Sequence, residues 1–197
     1  ILLFILISIF SVNNLVAFFF FASYIAHAAT IYEEFKTKWL VFEMFGSLEA
    51  VFVSMAIILF GLNSYIYQFL TSKVIWSLTG MEIFLIVSSL GALGTFFKIM
   101  ARIGQPSKQF FIYVIFVSIL AGLSLFYASS FIAFTMFTLV NGEYIGKIMK
   151  AHLADGIERY PDFMFLLLCP AVFFSCEYCQ IAFYIFSVLC EMVMNNL

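Results

Sequence analysis

Charged residues are scarce in this sequence, and their scarcity limits what the chain can be. Asp, Glu, Lys and Arg together make up 10% of the 197 residues, whereas hydrophobic residues make up 65%. Soluble domains hold about 25% charged and ~45–50% apolar residues, so a water-soluble fold of this size could not cover its apolar surface. Lipid is the solvent that accepts such an excess. The composition therefore predicts an integral membrane protein.

Sequence signals for ligand binding and catalysis are also missing. No strongly basic stretch occurs and the formal net charge is −2, so nucleic-acid binding is not expected. The sequence contains no Ser/His/Asp constellation, no Gly-rich phosphate loop and no pair of His ligands for haem. We therefore expect no catalytic residues, no cofactor, no metal and no small-molecule substrate of this chain's own.

The four cysteines lie in one apolar segment, between Cys169 and Cys190. Cys176 and Cys179 have the spacing of a zinc-binding pair. A closed zinc site needs four ligands, however, and neither a second pair nor a nearby His completes the set. We interpret the cysteines as small apolar residues that pack within a helix.

Phe is unusually abundant, with 28 copies, while Pro occurs only 3 times. Because Phe codons are T-rich and Phe replaces Leu against lipid at little cost, this bias is typical of AT-rich organellar coding. The bias favours an organelle-encoded protein. The chain begins with Ile1 rather than Met, which indicates a non-standard start or a trimmed N-terminus.

Five apolar stretches are long enough to cross a bilayer, which takes ~20 helical residues. In chain order, the predicted spans are residues 1–29, 39–62, 74–97, 109–140 and 162–197. Polar residues separate them, and the longest polar segment, residues 141–161, is predicted as an amphipathic helix at the membrane surface. The expected fold is an all-α bundle of about five transmembrane helices that forms one domain over residues 1–197.

The loops between the predicted spans do not determine which way the chain is oriented in the membrane. The loops after spans one and three share a side and hold Lys36, Lys38, Lys98, Arg102 and Lys108. The loops on the other side hold Lys73, Lys147, Lys150 and Arg159. Five basic residues against four is too even a division for the positive-inside rule to choose an orientation.

Two glutamates lie inside predicted spans. At ~1.5 Å per residue, Glu49 lies roughly 15 Å and Glu82 roughly 12 Å from the start of its helix. An ionised carboxylate at the bilayer centre costs about 2.5–3.5 kcal/mol, so it must face water, a partner or the bundle interior. We predict both as proton-pathway groups. The alternative is a neutral Glu that hydrogen-bonds to a neighbouring helix.

The last predicted span carries polar residues on one helical face. Glu177, Gln180 and Tyr184 follow the spacing i, i+3 and i+7, and Glu191 continues the row nearer the membrane surface. Such a stripe needs a partner helix or a wet cavity. We predict that it packs against another subunit, with a proton relay as the alternative.

Three short stretches around Glu82 resemble the small proton-translocating subunit of respiratory complex I, NADH dehydrogenase subunit 4L or NuoK. They are GLN at residues 61–63, SLTGMEIFL at residues 77–85 and SLGA at residues 89–92. By this resemblance Glu82 is a channel glutamate. The family has two membrane glutamates, and this sequence can be placed on them in two ways. In the first placement, Glu49, in SLEA at residues 47–50, is the first glutamate and Glu82 is the second. In the second placement Glu82 is the first and its partner falls near Ser118, where no acid occurs.

The resemblance implies a membrane-arm subunit of a proton-translocating NADH:ubiquinone oxidoreductase that has no redox centre or active site of its own. Its implied partners are the other membrane subunits of a large respiratory complex, together with lipids. The implied location is the mitochondrial inner membrane, where the complex would couple electron transport to proton translocation.

Two other functions stay open at this stage. The stretch QIAFY at residues 180–184 resembles the last helix of the proton-channel subunit a of rotary ATP synthase. That family needs an arginine in mid-membrane, whereas Arg102 and Arg159 both fall in predicted loops. The third possibility is a structural or receptor-type multi-helix membrane protein without transport chemistry, in which the membrane glutamates form interhelical hydrogen bonds.

Overall fold

The computed structural model describes residues 14–39, 55, 63–75, 78–127 and 130–163. These residues are mostly helical with little strand, which confirms the all-α class. Most of the second predicted span and nearly all of the fifth lie outside the described residues. Four of the predicted site residues also lie outside them, namely Glu49, Glu177, Gln180 and Tyr184.

Four long helices, one short helix and one small hairpin make up the described fold. In chain order they are α1 (Asn14–Thr37), α2 (Ser64–Thr71), β1 (Lys73–Ile75), β2 (Leu78–Thr79), α3 (Gly80–Ile103), α4 (Lys108–Tyr127) and α5 (Ser130–Lys150), followed by a π-helical turn (Ala151–Asp155). Strands β1 and β2 pair antiparallel. At 20 to 24 residues, the long helices measure about 30–36 Å.

Helix α1 is the centre of the bundle, since it packs against α3, α4 and α5. Small residues allow this close packing. Ala22, Ala28 and Ala29 are fully buried, and Phe20 and Ile25 fill the space between the neighbouring helices. A helix that is apolar around most of its circumference is stable only when other elements cover it, so the sequence of α1 fits its central position.

The helix directions follow from contacts near their ends. Glu33 near the end of α1 binds Arg102 near the end of α3, so these two helices run parallel. Tyr32 stacks on Phe110, which lies near the start of α4, so α4 runs in the opposite direction. The ends of α1 and α3 therefore meet the start of α4 at one end of the bundle.

The prediction that residues 109–140 form a single spanning helix is wrong. Helix α4 ends at Tyr127 and α5 begins at Ser130. The Tyr113 hydroxyl donates a hydrogen bond of 2.8 Å to Asn141 Oδ1, so the two helices pair antiparallel. A single helix of that length would extend about 48 Å, well beyond the ~30 Å hydrocarbon core. Pairing α4 with α5 buries their apolar faces within the bundle instead.

The predicted surface helix at residues 141–161 is also wrong. Helix α5 continues through the first half of this segment to Lys150, the π-helical turn follows, and residues 156–162 are irregular. The reason is that the polar residues of the segment contact the other helices at the end of the bundle. They extend α5 rather than starting a separate element.

Helix α3 begins at Gly80, six residues later than predicted, because a local cap fixes its start. The Thr79 hydroxyl accepts a hydrogen bond from the Glu82 amide, and the Glu82 carboxylate accepts one from the Thr79 amide. Gly80 suits the position because a Cβ there would lie 2.9 Å from the Phe69 carbonyl oxygen. The helix ends at Gly104, whose φ of 75° favours glycine.

Among the described helices, α3 is the one long and apolar enough to cross a membrane. Only 28% of its most apolar stretch is buried inside the bundle, whereas the core helix of a soluble protein is mostly buried. Val87, Leu90 and Phe97 lie on its exposed side. An outward face of this kind fits contact with lipid or with another membrane helix.

The expectation that Lys147 and Lys150 lie on the side opposite Lys108 is wrong, because the chain reverses between α4 and α5. The α4–α5 hairpin predicts instead that Lys108 and Lys150 face the same side of the membrane. Both lysines are exposed at the same end of the bundle, so Lys108→Cys and Lys150→Cys should react equally with an impermeant maleimide in sealed, oriented vesicles. The background requires replacement of the four native cysteines, Cys169, Cys176, Cys179 and Cys190. Tyr65→Cys, exposed on α2 at the opposite end, is the control for the other side, and labelling of the two lysine positions from opposite sides would contradict the hairpin.

Candidate functional site

A cluster of charged and aromatic side chains closes one end of the bundle, where α1, α3 and α5 end and α4 begins. We call this cluster the polar network. Its members are Tyr32, Glu33, Lys36, Arg102, Ser107, Glu143, Lys147 and Glu158. These residues come from α1, α3 and α5, from Ser107 directly before α4 and from the segment after α5. The network therefore lies where the long helices that the structure describes meet.

The central contact of the network is a two-pronged ion pair between α1 and α3. Arg102 Nε lies 2.7 Å from Glu33 Oε1, and its Nη2 lies 2.7 Å from Glu33 Oε2. The Glu33 side chain is only 3% exposed, whereas that of Arg102 is 33% exposed. The planar guanidinium therefore covers a buried carboxylate from the solvent side and satisfies both of its oxygens.

Glu158 ties the segment after α5 to α1 and α4. Its carboxylate lies 2.9 Å from the Lys36 ammonium and accepts a hydrogen bond from the Ser107 hydroxyl. The Ser107 amide in turn donates to the Tyr32 hydroxyl at 2.8 Å. Lys36 lies beyond the first apolar run. Burial by itself would lower the pKa of its ammonium group. The hydrogen bond and charge of Glu158, together with the nearby Tyr32, outweigh burial, so the pKa of Lys36 is raised.

An aromatic column lies beneath these charges. Tyr32 stacks on Phe110 with ring centres 4.2 Å apart, and Tyr113 stacks on Tyr144 with centres 4.1 Å apart. Aromatic pairs contribute about 0.5–1.5 kcal/mol each beyond the area that they bury. The column thus forms a transition between the charged end of the bundle and its apolar middle.

The last part of the network joins α5 to the chain that follows it. The Lys147 ammonium contacts the Glu143 carboxylate one turn earlier and donates a hydrogen bond to the Tyr160 carbonyl oxygen at 3.2 Å. Glu143 lies in the polar segment beyond the fourth apolar run. Burial raises its pKa, and the charge and hydrogen bond of Lys147 oppose that effect.

Two buried polar atoms near the network have no hydrogen-bond partner among the described residues. They are the hydroxyl oxygen of Tyr144 and Nδ1 of His152. The His152 ring meets the ring of Phe35 edge-on at 6.4 Å between centres. Within the described ranges, no group of three or more His, Cys, Asp or Glu side chains is arranged to hold a metal ion.

The carboxylates of the network are neutralised by cationic partners. Glu33, Glu143 and Glu158 each contact a cationic side chain. A carboxylate fixed by such a contact is a poor proton carrier, because releasing it from its partner exposes an unpaired charge. The arrangement is well suited to fixing the relative positions of the helices.

The structure places Glu82, the first predicted proton-pathway residue, in the first turn of α3 rather than roughly 12 Å inside a helix. Its Oε2 accepts hydrogen bonds from the Thr79 amide at 2.7 Å and the Thr79 hydroxyl at 2.9 Å. The predicted depth is wrong because the hairpin of β1 and β2 occupies residues counted as the first turns of that helix. The proton-handling role of Glu82 stays a prediction, as does that of Glu49, outside the described residues.

Sequence reasoning missed the residues of the network as a site. The sequence places Glu33 and Arg102 in polar loops and Glu158 in the predicted surface helix, where charges are usual and carry no special signal. One signal did exist, since the loops after the first and third spans were expected on the same side of the membrane. A carboxylate in one loop and a guanidinium in the other were therefore candidates for a pair, although they stand 69 positions apart.

The ion pair between Glu33 and Arg102 predicts that removing one partner destabilises the protein more than removing both. Arg102→Met should destabilise the folded protein by about 3 kcal/mol, because it leaves a buried carboxylate without its partner. The double variant Glu33→Leu with Arg102→Met should recover most of that loss, since an apolar pair of similar size is close to neutral. Thermal unfolding in detergent, followed by circular dichroism, measures both effects.

The control for this pair is Lys150→Met, which removes a positive charge that is exposed at the same end of the bundle. It should change stability by well under about 1 kcal/mol, as exposed charges usually do. Equal destabilisation by Arg102→Met and Lys150→Met would show that general charge, rather than the Glu33 contact, matters.

Comparisons with known proteins do not assign the chain. No family model, no curated protein and no solved structure matches it. A functional assignment must therefore be argued from the contacts and surfaces of the described helices. The similarity of the segment around Glu82 to a complex I subunit stays a prediction.

Proposed function

We propose that this chain is a membrane-embedded subunit of a larger complex, in which the helix bundle is a scaffold for neighbouring membrane helices. The observation that carries the proposal is the set of large apolar side chains that two long helices of the described bundle expose. Large exposed hydrophobic side chains cover α3 and α4, namely Val87, Leu90, Phe97, Phe111, Ile115 and Ile119. Such a surface is unsuited to water and needs lipid or partner helices to cover it.

The distribution of charge supports this proposal. The ion pairs of the polar network gather at one end of the bundle, where headgroups and water can solvate their exposed parts. The first helix shows the same separation, since no Asp, Glu, Lys or Arg lies between Asn14 and Tyr32. Charged residues at the centre of a bilayer cost several kcal/mol, so a membrane protein confines them to its ends unless they have a function.

We propose the membrane arm of respiratory complex I, in the mitochondrial inner membrane, as the complex to which the chain belongs. Support for this step comes from the sequence resemblance alone, over residues 61–63, 77–85 and 89–92. Since Glu82 caps α3, its described contacts favour a structural role over proton transfer for this residue. A proton pathway through this chain would then depend on Glu49 and on groups from other subunits.

A structural or receptor-type membrane protein without transport chemistry is the second candidate. The observation that favours it is that these described carboxylates all have partners: the buried Glu33 and the half-buried Glu143 bind cationic side chains, and the half-buried Glu82 binds its own helix cap. Subunit a of ATP synthase is supported less well. Its mid-membrane arginine has no counterpart in Arg102, which lies in the last turn of α3 and binds Glu33.

Co-purification tests the proposed function directly. The tagged chain, extracted from its native membrane in mild detergent, should elute in a large complex with other membrane proteins. Flavin- and iron–sulfur-containing subunits identified by mass spectrometry would support complex I, and a ring of ATP synthase c subunits would support the rotary enzyme instead. A folded, monodisperse monomer free of other proteins would contradict the subunit proposal and favour the second candidate.

The role of Glu82 can be separated from proton transfer by a pair of variants. Glu82→Gln should leave stability and complex assembly almost unchanged, because Gln also completes a capping box. Thr79→Ala removes the same cap without removing a titratable group, and it should cost about 1 kcal/mol. If Glu82→Gln stopped proton pumping at normal complex abundance while Thr79→Ala did not, Glu82 would be a proton carrier and the capping role secondary.

A further inference from the structure

Helix α2 is a short element with an unusual surface. Its eight residues, Ser64–Thr71, include no charged side chain and none of them is buried. Tyr65 is 82% exposed and Phe69 is 59% exposed. Since they stand four positions apart, these two aromatic side chains share one face of the helix. Two exposed aromatic side chains on one face of an uncharged helix form an apolar surface, which favours contact with lipid or a partner.

The inner side of α2 is held against the bundle. Leu70 packs on the hydrophobic core, and the backbone at Phe69 lies so close to Gly80 that a Cβ there would come within 2.9 Å of the Phe69 carbonyl oxygen. The Asn63 side chain caps the start of α2 by accepting a hydrogen bond from the Tyr65 amide at 3.0 Å. The helix is therefore fixed at the start of α3, with the Tyr65–Phe69 face pointing away from the core.

The position of α2 along α3 relates it to a membrane. Helix α3 has 24 residues and measures about 36 Å. The polar network lies at its far end, at Arg102, and α2 lies at its near end. A hydrocarbon core is ~30 Å thick, so a bilayer that places the network at one interface places α2 at the other.

The side-chain chemistry of α2 fits that boundary. Tyrosine has an apolar ring and a polar tip, and aromatic residues are enriched where acyl chains meet headgroups. At the opposite end of the bundle, Trp39 follows α1 and is 77% exposed. The described bundle thus carries an exposed aromatic side chain close to each end of its apolar length.

We propose that α2 is an interfacial helix that binds the headgroup boundary of the lipid bilayer through Tyr65 and Phe69. The inference rests on the proposed membrane location and goes beyond it, because it assigns the bilayer surface as the partner of this helix. It also sets the two membrane interfaces of the bundle, at α2 and at Trp39. In this arrangement the hairpin of β1 and β2 turns the chain from the membrane surface into α3.

Depth-dependent quenching of tryptophan fluorescence tests the inference. In a background with Trp39→Phe and Trp76→Phe, a single tryptophan is introduced as Tyr65→Trp, or separately as Phe69→Trp. The purified chain is placed in phosphatidylcholine vesicles brominated either just below the headgroup or near the end of the acyl chain. Both variants should lose more fluorescence with the shallow bromine than with the deep one.

Two controls fix the depth scale in the same vesicles. Val87→Trp, on the exposed side of α3, should be quenched more strongly by the deep bromine. The single variant Trp76→Phe keeps Trp39 as its tryptophan, and it should respond to the shallow bromine at the other interface. Size-exclusion chromatography and circular dichroism confirm that each variant elutes and folds like the chain without these substitutions before it is reconstituted.

The outcomes separate this inference from the proposal on which it depends. One outcome is that the deep bromine quenches Val87→Trp while neither Tyr65→Trp nor Phe69→Trp is quenched. In that case α2 contacts water or protein rather than lipid, and the inference is wrong. Deep quenching of Tyr65→Trp would also overturn it, since α2 would then lie in the hydrocarbon core. If no variant is quenched by either lipid, the proposed membrane location itself fails.

Discussion

The contact between Glu33 and Arg102 is the constraint on which the described architecture depends. A buried carboxylate without a cationic partner would cost several kcal/mol, so the ends of α1 and α3 must meet wherever the chain folds. That requirement aligns the two helices in parallel. The chain leaving α3 at Gly104 then enters α4 beside Tyr32, and the Ser107 amide donates to the Tyr32 hydroxyl. The start of α4 is thereby fixed against α1, which determines its antiparallel direction.

The separation of polar and apolar side chains along the bundle follows from this alignment. The end of the bundle where α1, α3 and α5 end and α4 begins carries most of the described charges. The stacked rings of Tyr113 and Tyr144 lie between those charges and the apolar middle. The other end of α3 carries the uncharged aromatic helix α2 instead. The two ends of the bundle therefore differ chemically, which is the situation of a protein whose ends contact different environments.

The acids of this chain illustrate how local context decides the role of a carboxylate. Glu82 follows Thr79 by three positions, which is the spacing of a capping box and was visible in the sequence. The apolar run from residue 74 onward obscured it, since Val74 and Ile75 suit a helix in lipid as well as they suit a strand. Only the pairing of Lys73 with Thr79 shows that the chain forms a hairpin there and starts the helix afterwards.

The sequence by itself determined that the chain is helical and rich in apolar surface, and that its charges lie chiefly between the apolar runs. It could do so because composition and the length of the apolar runs reflect the solvent that the helices require. It also predicted that the loops after the first and third runs lie together, and the contact between Glu33 and Arg102 places these two residues at the same end of the bundle. Tertiary structure alone decided that residues 109–140 form two paired helices, because hydropathy is uniform across that run and does not mark where it reverses. It also decided which charges pair, since residues 69 positions apart share no local periodicity and meet only when α1 and α3 pack together.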